Sequence, residues 1–155
     1  MLRRSRKAGS RKGFTLLELM VVAGITVTAL AGLLGTYVAC LELMEMTRNS
    51  NLAIIGAQTV LEEMRSTAIT SVYGTYDGYT FAVDDMAAGD SVGHVSVNNT
   101  NTSLLNITVG VCWEQKAGRI IGECQEAAGV LVFNDTNANG VLDSPVQIIT
   151  LMAQR

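Results

Sequence analysis

Residues 14–41 carry one formally charged side chain, Glu18, in an otherwise apolar run. A hydrocarbon core about 30 Å thick needs roughly 20 such residues at about 1.5 Å of rise each, so this run is long enough to span a bilayer as a helix. The one acid constrains it further. A carboxylate in a membrane helix costs about 2.5–3.5 kcal/mol at the bilayer centre, which normally goes with a partner and a task. If the chain were cut between Gly13 and Phe14, Glu18 would be the fifth residue of the product, about one turn below a new amino group. There the helix dipole favours an anion, and a neighbouring chain's terminal amine could complete the pair.

Charge is divided sharply. Arg3, Arg4, Arg6, Lys7, Arg11 and Lys12 precede Gly13 with no acid among them, leaving five basic groups against fourteen acidic ones, near −9, in the remainder. With no basic patch to meet phosphates, the remainder is not built for nucleic acid. The leader reads as a positive-inside signal that keeps the N-terminus cytoplasmic and sends the C-terminal part outward.

The basic leader, Gly13, Phe14, Thr15, Leu16, Leu17, Glu18 and the apolar run together resemble the N-terminal signal of type IV pilins and of type II secretion pseudopilins. The resemblance covers about the first third of the chain. It implies that a prepilin peptidase cuts between Gly13 and Phe14 and methylates the amine of Phe14. It also implies that Glu18 pairs with a neighbouring subunit's N-terminus during assembly, with other pilins or pseudopilins and the inner-membrane assembly platform as partners. Three other readings compete. A secretory signal peptide has an apolar region of about 7–15 residues, much shorter than this one. A lipoprotein signal ending at Cys40 would have Tyr37 where an aliphatic residue belongs. A plain single-span anchor leaves the glutamate unexplained.

The expected fold is α+β, a type IV pilin-like lollipop in which one long N-terminal helix packs on a small antiparallel sheet. The divisions are a cleaved leader at 1–13, a membrane and assembly helix at 14–41, an amphipathic extension at 42–69 and a β-rich outward domain at 70–155. No proline precedes Pro145, and Gly24, Gly32 and Gly35 are tolerated in the apolar half. Beyond Leu41, Ile54, Ala57, Leu61, Met64 and Ala68 recur at three and four and share one helical stripe. An uninterrupted helix over 14–69 would be about 80 Å long.

A break is expected at 71–77, followed by strands at 79–83, 91–97, 105–113, 119–121, 130–133 and 146–152, with a loop at 84–90 and a polar turn at 98–103. In 105–113 the apolar residues alternate with polar or small ones, which predicts one buried and one solvated face.

Cys112 and Cys124 flank the turn at 116–118, near one another on paired strands; the spacing admits a disulfide, and a register one or two residues out of line would leave two thiols. Cys40 reads as an inert small hydrophobe. The segment 135–143 offers oxygens at positions 1, 3, 5 and 9 from Asp135, Asn137, Asn139 and Asp143, glycine at 6 and the Val141 carbonyl at 7, the spacing of a calcium loop. Val146 stands where the bidentate glutamate belongs. The alternative is a hairpin turn on Asn139-Gly140 between the strands at 130–133 and 146–152.

His94 is the only histidine and has no nucleophile or base near it in sequence, so it reads as a surface or satisfied core residue and the chain as a non-enzyme. The Asn-x-Ser/Thr triplets at Asn98, Asn101, Asn106 and Asn134 would matter only in a glycosylating pathway. The functional expectation is a minor pilin or pseudopilin of the inner membrane, with Leu61-Glu62-Glu63-Met64-Arg65 and the late strand bearing Trp113 resembling PilV-type minor pilins and small minor pseudopilins. The competing class is a single-span anchored binding module that does not polymerise.

Overall fold

The computed structural model describes residues 13–101, 104–116 and 118–153. Its first element is α1, Leu16–Ser66, the one described helix long and apolar enough to cross a membrane. By internal contacts the chain divides after Glu42. In the first unit the helix exposes Leu17, Met20, Val27, Leu30 and Leu34, a continuous apolar surface that water does not tolerate and lipid does. Its hydroxyls are satisfied locally. Thr26 donates to the Val22 carbonyl at 2.8 Å and Thr36 to that of Leu33 at 2.8 Å, so neither brings an unmet donor into the apolar segment.

The second unit begins at Leu43. Here α1 turns Ala53, Ala57, Val60, Leu61 and Met64 onto a sheet, and all five are buried. The stripe is rotated from the expected one, because Ile54 is 38% exposed and Ala68 lies beyond the helix end. The helix stops at Ser66 rather than at 69: Ser66 and Thr67 both donate their hydroxyls to the Glu63 carbonyl, competing with the ladder of the last turn. A second helix, α2 (Ile69–Tyr76), occupies most of the segment expected as a break, held by buried Val72 and Tyr76. The actual break is at Asp77-Gly78, where Gly78 has φ +76°.

The main antiparallel sheet contains β1 (Thr80–Phe81), β2 (Ser91–Asn101), β3 (Leu104–Gln115), β4 (Arg119–Ile121) and β7 (Val146–Ala153). β3 is central: it pairs with β2 on one edge and with β7 and then β4 on the other. Val95 opposite Val109, and Val109 opposite Ile148, set a β-branched row facing α1, the packing that branched side chains favour on a pleated surface. Trp113 lies fully buried at the end of this row.

Two further strands, β5 (Cys124–Ala127) and β6 (Val130–Phe133), form a separate small hairpin. β5 was not legible in Cys124-Gln125-Glu126-Ala127, which carries no β-branched residue. The strands at 80–81 and 91–101 differ in length from the expected 79–83 and 91–97; β2 runs through most of the polar segment expected as a turn, since Asn98 pairs with Asn106. The expected solvated face of β3 is only half solvated. Asn106 is exposed, whereas Cys112 is fully buried and Gly110 lies under Leu142.

Candidate functional site

At the N-terminal end, Gly13, Phe14 and Thr15 are non-helical and α1 begins at Leu16. The Thr15 hydroxyl accepts the Glu18 backbone N–H at 3.2 Å, which makes Thr15 the N-cap and Glu18 the third residue of the first turn. Thr15-Leu16-Leu17-Glu18 thus has the spacing of a capping box, a signal readable in the sequence and absent from the expectations above. Glu18 is exposed and has no ion pair among the described residues. Its charge lies at the first turn, where backbone N–H groups without an intrahelical carbonyl partner concentrate positive potential.

Phe14 is 76% exposed, and a Cβ added to Gly13 would meet nothing within 4 Å. The Gly13–Phe14 bond therefore lies in a non-helical lead-in, and no contact among the described residues requires glycine at 13.

Cys112 and Cys124 are joined in a disulfide with Cα atoms 6.4 Å apart. Their strands are not partners. The bond ties β5 to the main sheet through central β3, where the sequence reading placed both cysteines on neighbouring strands. Gly122 makes this approach feasible: its φ is +102°, and a Cβ there would stand 2.7 Å from that of Cys112. Cys40 is a free, exposed thiol on α1.

The segment 134–145 crosses between the two sheets, since β6 pairs with β5 and β7 with β3. It is not the hairpin turn expected on Asn139-Gly140. Asp135 accepts the backbone N–H groups of Asn139 (3.1 Å) and Gly140 (2.7 Å). Asn137 and Asn139 accept those of Asn139 (3.0 Å) and Val141 (2.7 Å), and the Asn137 amide donates to Asp143 at 2.8 Å. From β5's side, Glu123 accepts the Thr136 N–H at 2.8 Å, the Thr136 hydroxyl, and the Asp143 N–H at 3.4 Å. These bonds, first of all that from the Thr136 hydroxyl, hold the Glu123 carboxyl below its ordinary value.

Among the described residues no three His, Cys, Asp or Glu side chains converge as a metal site. In this arrangement an amide N–H of Asn137 faces the Asp143 carboxylate, and the Asp135 carboxylate is engaged by backbone N–H groups of the loop. The spacing builds a turn closed by its own side chains.

His94 is buried, 8% exposed, with its ring stacked on Phe133 at 4.1 Å between centroids. It is less satisfied than expected: Nδ1 is buried with no hydrogen-bond partner among the described residues, as is the indole nitrogen of Trp113. Burial pushes His94 below its ordinary value, opposed by Asp77 and Asp135.

Residues 9–34 match the family model of the prokaryotic N-terminal methylation motif. This motif reaches across the exposed lead-in and capped first turn described above, at the head of α1. No curated protein and no solved structure matches it.

Proposed function

We propose that this chain is a minor pilin or pseudopilin: a precursor cut by prepilin peptidase between Gly13 and Phe14, methylated on Phe14, and assembled into a type IV pilus or type II secretion pseudopilus. The observation that carries this reading is Glu18. It is exposed on the first turn of a helix long enough to span a bilayer and has no ion pair among the described residues. After cleavage it stands one turn below the new amine, within reach of a neighbouring subunit's N-terminus. An unpaired carboxylate in lipid then penalises every register but the right one.

Among the described residues nothing packs against Gly13, and glycine there gives the peptidase an unhindered extended substrate. The basic leader stays cytoplasmic, α1 crosses the inner membrane and the β-rich domain lies outside, which sets the disulfide in an oxidising compartment. In this scheme the partners are other pilins or pseudopilins and the assembly platform.

The test is the intact mass and N-terminal peptide of the protein from native membranes, with Glu18→Val alongside. The expected result is a start at Phe14 bearing one added methyl group. Glu18→Val should stay in the membrane fraction, since it removes only about 0.3–1 kcal/mol of helix-dipole stabilisation, and should be lost from sheared filaments. A start at Met1 or lipid on Cys40 would instead make the chain an anchored binding module, and undiminished incorporation of Glu18→Val would overturn the assembly role given to Glu18.

A further inference from the structure

His94 stands on the face of β2 opposite to Val95, and Val95 belongs to the core shared with α1. On that other face Phe133 stacks over the imidazole. Leu142, 1% exposed, covers Gly110, the cross-strand partner of His94; a Cβ on Gly110 would collide with it. Two apolar contacts thus lay segment 133–142 over the sheet, and Glu123 braces its flank through Asn134, Thr136 and Asp143. Its neighbours are fastened more firmly, by the Cys112–Cys124 disulfide and by the Leu131 N–H to the Gly89 carbonyl at 2.8 Å.

We infer that His94 is an acid-sensitive latch: its protonation releases segment 133–142 from the sheet while β5 and the start of β6 stay attached. An imidazolium carries N–H on both nitrogens, and Nδ1 is buried where no acceptor among the described residues reaches it. The charged groups facing the ring are Asp77, after α2, and Asp135, in the covering segment. β2 holds no other charged residue, and Cys112 on β3 does not titrate. Both carboxylates favour the cation, yet desolvation outweighs them, so the closed form holds the ring neutral.

The sign follows. The closed state has the lowered pKa, so its stability is full above the ordinary histidine value of 6.5 and declines as pH falls through that value toward the lowered one. The opening equilibrium can rise up to about tenfold between pH 7.5 and 5.5, the limit for one proton taken up.

Hydrogen exchange on the full chain in detergent, corrected for intrinsic rates, reads this at the Asn134 and Thr136 amides, which bond out of the segment to Glu123. Their protection should fall by about three- to tenfold from pH 7.5 to 5.5, with the α1 and β3 amides unchanged. His94→Phe keeps the stack without a titrating group and should abolish the dependence; His94→Gln should do the same if the phenylalanine variant folds poorly. Protection independent of pH in the unmodified chain would overturn the inference. So would an equal fall in both variants, which would place the dependence outside His94.

Discussion

The disulfide is the place where a stability change can be worked out in advance. Cys112 and Cys124 are 12 residues apart, and closing a loop of that size removes chain entropy from the unfolded state worth about 3 kcal/mol at 25 °C. The bond also fixes β5 to β3, a pairing that no backbone ladder supplies. In the Cys112→Ala/Cys124→Ala variant the unfolded chain regains that freedom, and fully buried Cys112 is replaced by a side chain of similar size. At about 4 °C per kcal/mol for a domain near 100 residues, the melting midpoint should fall by about 10 °C. Trp113, the single tryptophan and fully buried, reports this by the shift of its emission on unfolding. Full-length protein in detergent, oxidised against the double variant, is the comparison. Midpoints within about 2 °C would show that the loop is already ordered in the unfolded ensemble or that strain in the native bond cancels the gain, and the entropic argument would fail.

Met64→Ala should cost about 2–5 kcal/mol because the side chain is fully buried between helix and sheet, whereas Ile54→Ala, on the exposed side, should stay within about 1 kcal/mol; equal costs would show that the helix presents a different face. Calcium should leave the melting midpoint unchanged relative to a chelator. A bound ion at a hundredfold excess over its Kd would add about 2.7 kcal/mol, so a rise of several degrees would mean that the Asn137 and Asn139 amides turn away and the carboxylates close on the cation.

Much of the fold was legible because long periodic segments dominate it. The apolar run, the alternation in β3 and the Val146–Ala153 strand all declared themselves. The misreadings fall where local pattern and packing disagree. Ala57, Leu61 and Met64 are buried as expected, but Ile54, apolar and correctly spaced, lies at the margin of the stripe, where Ala53 and Val60 are buried instead. Gly74 suggested a break, yet α2 forms around it because Val72 and Tyr76 find a core to enter. Asn139-Gly140 suggested a hairpin, yet the strands on either side belong to different sheets.

The N-terminal signal was settled by the sequence alone, because each part of it is a local matter: charge, length, and one carboxylate at a fixed distance from one glycine. Residues 9–34 match a family model on that basis. The outer face of the sheet was decided only by tertiary structure. Neither the isolation of His94 nor the junction of β3 with β5 nor the role of Glu123 in bracing the 134–145 crossing has a signature within a few residues. Each depends on segments far apart in the chain that share a surface only after α1 and the sheet have packed, and burial, not pattern, then fixes which polar atoms are left without partners.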